Sequence, residues 1–184
     1  MRLVEMEFRK AFEREKSSKE LLNAHGFHEI GGGQFASIYA NPKFPYVLKV
    51  FEGDSCYQMY CEIVMTNPSN PHFPKFRGRP MLITETLNGA VYAIRMERLT
   101  PHSNTPEIRS LIDYMGSRMG RSDYNVTKER AAAYRKAYPK LNAALSLIKG
   151  LLKSGCVGDF KYTNIMMRGD VPVIIDPVAN EDEV

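Results

Sequence analysis

Gly158-Asp159-Phe160-Lys161-Tyr162-Thr163-Asn164, continued by Ile165-Met166-Met167-Arg168-Gly169-Asp170-Val171-Pro172-Val173-Ile174-Ile175-Asp176, is the stretch on which the fold turns. It reads D-x-K-x-x-N, then two short apolar runs turned at Gly169-Asp170, with an acid closing the second run. An Asp followed five residues later by an Asn can bring a base to a hydroxyl and an amide oxygen to a metal ion. Lys161 between them can offset charge on a moving phosphoryl group. Asp176, at the end of a strand-like run, offers a hard oxygen ligand to a divalent cation. Taken singly, each acid also reads as a cap or turn residue; as an ordered set they point to chemistry.

Toward the N-terminus, Tyr46-Val47-Leu48-Lys49-Val50-Phe51 predicts a strand, β-branched and apolar around one charge. A lysine inside such a run is costly to bury unless its ammonium finds a partner. Lys49 is therefore either an outward-facing lysine or one that pins nucleotide phosphates, held by a carboxylate on the next helix. Glu62 is the expected partner, and its plain alternative is a surface glutamate. Further upstream, Gly31-Gly32-Gly33-Gln34-Phe35-Ala36-Ser37-Ile38-Tyr39 fits G-x-G-x-x-small-x-aliphatic. Glycines let a backbone approach phosphate and expose its amides, although a glycine triplet is also an ordinary turn. A dinucleotide-binding fingerprint needs a strand before the glycines and a helix after them. Here a helix precedes and a strand follows, which suits a β-hairpin lid.

The elements between these motifs follow from periodicity and punctuation. Residues 5–24 predict a helix stopped by Gly26, and residues 54–65 another, capped by Asp54 or Ser55. Residues 67–80 hold four prolines and predict a loop. Residues 80–86 and 90–98 predict a hairpin turned at Asn88-Gly89. Thr100 to Thr105 is a polar boundary, after which residues 106–119 and 127–153 predict helices, the latter broken or kinked at Pro139 and ended by Gly155. The expected fold class is α+β in two lobes, a strand-rich 1–99 and a helical 100–184.

Composition narrows the partners. The chain has 184 residues and a formal net charge of +4 with both signs interspersed, too mild and scattered for a nucleic-acid surface. No apolar run is long enough to span a bilayer, and the first residues contain no apolar signal core, so no membrane partner is expected. Three cysteines, an odd count without CxxC spacing, predict neither a disulfide framework nor a zinc site and point to a reducing cytosol.

The ordered series of glycine-rich hairpin, strand lysine, helix glutamate, D-x-K-x-x-N and strand-terminal Asp resembles protein kinases from Gly31 to Asp176. More narrowly, Asn164-Ile165-Met166, Gly169-Asp170-Val171-Pro172 and Asp176-Pro177-Val178, with the glycine and lysine motifs, look like the early serine/threonine kinases of T-seven-like bacteriophages. The resemblance implies a minimal bilobal kinase-like fold, ATP and Mg²⁺ as cofactors, host proteins as substrates, and action in the bacterial host cytoplasm. It assigns Lys49 to the phosphates, Asp159 to the acceptor hydroxyl, Lys161 to the γ-phosphate, and Asn164 and Asp176 to Mg²⁺. Gly31, Gly33, Gln34, Phe35 and Ala36 would cover the nucleotide, Glu62 would hold Lys49, and Met96-Glu97-Arg98-Leu99 would present backbone to adenine, with Glu97 and Leu99 its contacts.

The sequence departs from the family pattern at four places. Val157 stands where His is usual, Ala36 replaces the third lid glycine, Asp176-Pro177-Val178 replaces Asp-Phe-Gly, and eight residues follow Asp176, too few for an activation segment. Two other classes of function therefore stay open at this point. One is a kinase-like module that grips a host protein without phosphorylating it. The other is a small-molecule phosphotransferase of the aminoglycoside type, which also uses a Gly-Asp loop.

Overall fold

The computed structural model describes residues 18–33, 36–87, 89–120, 124 and 126–180. Mixed α and β elements form two compact units, Met1–Asp54 with Phe76–Arg98, and Ser55–Lys75 with Leu99–Val184. The first unit ends at Arg98 and the second resumes at Leu99, while 55–75, expected in the first lobe, belongs to the second unit.

The first unit contains helix α1 (Ser18–Ala24) and a five-stranded antiparallel sheet. Its strands are β1 (His28–Gly32), β2 (Ala36–Ala40), β3 (Tyr46–Glu52), β4 (Met81–Thr86) and β5 (Gly89–Glu97), in spatial order β1-β2-β3-β5-β4. The helix expected over residues 5–24 is seen as α1 alone, since residues before 18 lie outside the described part. Gly26 ends the turn after it at φ +75°, a conformation that glycine adopts without steric cost. β3 is the central strand, paired along both edges, and Val47 to Phe51 are all buried. Alternation sends Leu48 and Val50 to one face, where they join Leu21, Leu22, Phe27, Tyr39, Val91 and Ala93. Lys49 belongs to the opposite face, in register with Ile38 and Ile94.

The second unit is built on four helices: α2 (Ser55–Thr66), α3 (Pro106–Arg118), α4 (Lys128–Ala137) and α5 (Pro139–Leu152). Thr105 caps α3 by accepting from the Ile108 amide at 3.4 Å, and Thr127 caps α4 in the same way through Arg130. Pro139 does more than kink a helix: it occupies the first turn of α5, where its missing N–H costs nothing. α5 buries Leu141, Ala144, Leu145, Ile148 and Leu151, the i, i+3, i+4, i+7 stripe of a helix packed on one side. Two small antiparallel sheets complete the unit. β7 (Cys156–Gly158) pairs with β10 (Val178–Asn180), and β8 (Ile165–Arg168) lies between β6 (Thr100–Pro101) and β9 (Val171–Ile174).

The proline-rich segment after α2 is held against the β8–β9 hairpin by buried and part-buried polar contacts. Arg168 donates to the carbonyls of Pro71 at 2.7 Å and Phe73 at 2.9 Å. The Ile174 amide donates to His72 O, and His72 Nδ1 bonds Pro172 O, each at 2.9 Å. These contacts satisfy a loop backbone that has no ladder of its own.

One expectation is overturned. Cys56, in the first turn of α2, is joined to Cys156, the first residue of β7, across 100 residues. Their Cα atoms lie 5.7 Å apart, inside the range a disulfide spans. Odd count and spacing could not show this, because the approach is made by tertiary packing: Asn180, opposite Cys156 in the sheet, also accepts from the Cys56 amide at 3.2 Å. The cysteine content thus no longer argues for a reducing compartment. Cys61 is buried and free of disulfide. Among the described residues no helix is long and apolar enough to cross a membrane.

Candidate functional site

The D-x-K-x-x-N segment is an irregular loop between β7 and β8, closed by one 3₁₀ turn at Tyr162–Asn164. Its charged and amide groups lie on one another. Lys161 Nζ is 2.7 Å from Asp159 Oδ1, and Asn164 Nδ2 donates to Asp159 Oδ2 at 3.1 Å and to Asp159 O at 2.6 Å. Both carboxylate oxygens of Asp159 are therefore oriented by neighbours within the loop. The Lys161 side chain is 64% exposed, and an ion pair of that kind is worth about 0–1 kcal/mol. So small an attraction leaves Lys161 able to turn toward a more strongly charged group such as a phosphate.

Asp176 is delivered to the same loop by the chain on either side of it. The Ile175 amide donates to Asn164 O at 2.9 Å, extending the register in which Ile174 faces Ile165. The Asp159 amide donates to Pro177 O at 3.0 Å. The residues before and after Asp176 are thus bonded to Asn164 and to Asp159. Beneath them the Tyr60 hydroxyl donates to Ile174 O. Burial, and then the neighbouring Cys61 and Asp176, hold that hydroxyl well above its ordinary pKa, so Tyr60 stays a neutral donor.

The donor set suits a hard cation. The nitrogen of the Asn164 amide is used on Asp159, so its oxygen is the half that would face a cation, and Asp176, between two residues bonded to the same loop, would add a carboxylate. Among the described residues no group of three His, Cys, Asp or Glu gathers around a point. Mg²⁺ does not require one, since it keeps waters and takes one or two protein oxygens plus substrate phosphates.

No protein-family model matches the chain, and no curated protein matches it either.

The remaining expected site residues fall into separate places. Lys49, in the first unit, is 3% exposed on the central strand, so the outward-facing alternative is overturned. Glu62 is exposed on α2 and belongs to the second unit. Glu97, the last residue of β5, and Leu99 just beyond it are half-buried. Gln34 and Phe35 lie outside the described residues, while Ala36 opens β2. Gly31 and Gly33 are exposed, and a Cβ on either would meet nothing within 4 Å. Gly32, which the motif leaves unspecified, is the sterically required glycine: a Cβ there would lie 2.8 Å from Ala36 O. The hairpin is closed beside it by Gly33 N donating to Ala36 O at 2.8 Å.

Sequence reasoning assigned no role to Tyr162, yet its hydroxyl donates to Asp113 Oδ1 on α3 at 2.6 Å. Partial burial, then this bond, pushes the hydroxyl up to about 12. Nothing in the sequence marks that pairing, because 49 residues separate the partners.

Proposed function

We propose that the chain is a minimal kinase-like phosphotransferase that takes ATP with Mg²⁺ and phosphorylates serine or threonine hydroxyls of proteins. The observation that carries the reading is the gathering of Asp159, Lys161 and Asn164 in one loop, with Asp176 flanked by backbone bonds to that loop. Loop chemistry of this type needs a base, a mobile cation and two oxygen ligands, and these parts are given to Asp159, to Lys161, and to Asn164 with Asp176.

In this reading the Asp159 carboxylate accepts the proton of the acceptor hydroxyl as its oxygen attacks the γ-phosphorus. The bond from the γ-phosphorus to the β–γ bridging oxygen breaks, and ADP leaves. Lys161 leaves its weak pairing with Asp159 to neutralise the transferring group, and Asn164 and Asp176 supply metal-ligand oxygens. The cation, when bound, supplies charge neutralisation on the phosphates. Lys49 is assigned to the phosphates by the resemblance, and its burial on β3 supports a role beyond a solvent-facing lysine. The resemblance to early phage kinases supplies the substrate class, host proteins in the bacterial cytoplasm, and the kinase-like bilobal architecture.

The test is incubation with γ-labelled ATP and Mg²⁺, with and without bacterial lysate, beside Asp159→Asn. Label in the protein or in lysate bands that vanishes in the variant supports the proposal. No label from folded protein overturns it and shifts weight to a kinase-like binding module.

A further inference from the structure

The loop from Asp159 to Asn164 has little regular structure to hold it. Its own backbone bonds are Lys161 N to Asp159 O at 3.1 Å and Asn164 N to Lys161 O at 3.0 Å. The proposed base, Asp159, and the proposed metal ligand, Asn164, sit at its two ends, so the residues between them set their spacing. Those residues are gripped from outside by three side chains of the second unit.

The first is Asp113, which accepts from the Tyr162 hydroxyl at 2.6 Å, the length of an O–H···O⁻ bond. The second is Tyr124, whose hydroxyl donates to Phe160 O at 2.9 Å. The third is His102, whose Nε2 lies 3.2 Å from Tyr162 O. The Tyr124 and His102 rings flank Tyr162, with centroids 6.2 and 6.3 Å away. Tyr124 reaches the loop only because position 116 of α3 is glycine: a Cβ on Gly116 would lie 2.3 Å from the Tyr124 ring. α3 thus contributes twice, with an acid for Tyr162 and a bare patch for Tyr124. Phe160, buried completely, anchors the same segment from within.

We propose that Tyr162, through Asp113, and Tyr124, seated on Gly116, are positioning residues that hold the Asp159–Asn164 loop in its working shape. Neither touches the reacting groups; each acts through the main chain between them. The catalytic part of this inference rests on the phosphotransferase reading, whereas the ordering of the loop does not.

The experiment pairs amide hydrogen exchange with transfer kinetics on Tyr162→Phe, Asp113→Ala, Asp113→Asn and Tyr124→Phe. Tyr134→Phe is the control, since it removes a different bond to α3, the 2.9 Å contact with Ser110. Tyr162→Phe, Asp113→Ala and Tyr124→Phe should speed exchange at Lys161 and Asn164 about tenfold or more and lower kcat by a similar factor, the worth of a hydrogen bond to a charged or main-chain partner. Asp113→Asn keeps an acceptor oxygen for Tyr162 and should stay within about threefold of wild type in both readouts, a rescue that loss of general stability would not give. Wild-type exchange in Tyr162→Phe overturns the proposal. Faster exchange with unchanged kcat in an active protein overturns the positioning role. A wild-type protein that transfers no phosphate removes the phosphotransferase reading, and the exchange data alone then decide whether the bonds order the loop.

Discussion

Asn164 donates its side-chain amide to both the carbonyl and the carboxylate of Asp159, at 2.6 and 3.1 Å. The bond holds the Asp159 carboxylate and commits the Asn164 nitrogen, so one contact orients the two residues proposed as base and metal ligand. Asp159→Asn should lower phosphoryl transfer about 10²–10⁴-fold, the usual contribution of a positioned general base, with the unfolding midpoint little changed. Labelled-ATP kinetics and a urea titration check both halves, and retained transfer would remove Asp159 from its role.

Lys49→Ala and Asp176→Ala should each abolish detectable transfer. Lys49 is buried and its replacement leaves a void on β3, so its fold must be checked by circular dichroism beside the assay. An active Asp176→Ala protein would contradict the site, because no other carboxylate is bracketed by bonds to both Asp159 and Asn164 among those described.

The glycine triplet separates shape from function. Gly32→Ala puts a Cβ 2.8 Å from a backbone oxygen and should cost about 1–3 kcal/mol of stability. Gly31→Ala and Gly33→Ala meet open space and should leave the unfolding midpoint nearly unchanged. If the hairpin covers nucleotide, these two should instead raise KM for ATP.

The Cys56–Cys156 bridge joins two residues of the second unit and closes a loop of 100 residues that includes β4 and β5. Reducing it, or replacing both cysteines by serine, should cost about 2–4 kcal/mol. Denaturant unfolding with and without dithiothreitol measures this, and an equal midpoint in both would show the bridge is absent in solution.

His72 predicts an acid-sensitive step. It is buried, and burial is the main reason its pKa lies below the ordinary value. The unfolded chain, with His near 6.5, then binds the proton more readily than the folded one. The stability from neutral His72 is full above about pH 6.5 and falls as the pH drops toward the lower folded value. His72→Asn can still donate to Pro172 O and should flatten that slope between about pH 5 and 7, read from unfolding midpoints across pH.

Much of the local architecture was legible because its causes are local. β3, the helices after Pro106 and around the break at Pro139, and the turns at Gly26 and Gly155 follow from side-chain period and from residues that favour one backbone region. The loop cluster was legible for the same reason, since Asp159, Lys161 and Asn164 lie within six residues. Where sequence reasoning picked Gly31 and Gly33, the structure needs Gly32, because Ala36 O, which accepts from Gly33 N, lies where a Cβ at position 32 would be.

By itself the sequence determined the longer helices and strands, the α+β class and the clustering of Asp159, Lys161 and Asn164 in one loop, all set by interactions a few residues long. Only the tertiary structure decided that Cys56 meets Cys156, that Asp113 takes Tyr162, that Arg168 binds the carbonyls of Pro71 and Phe73, and that α2 belongs with the second unit. Those partners lie 49 to 100 residues apart. No residue type announces such a partner, since the pairing is chosen by how the helices and hairpins pack.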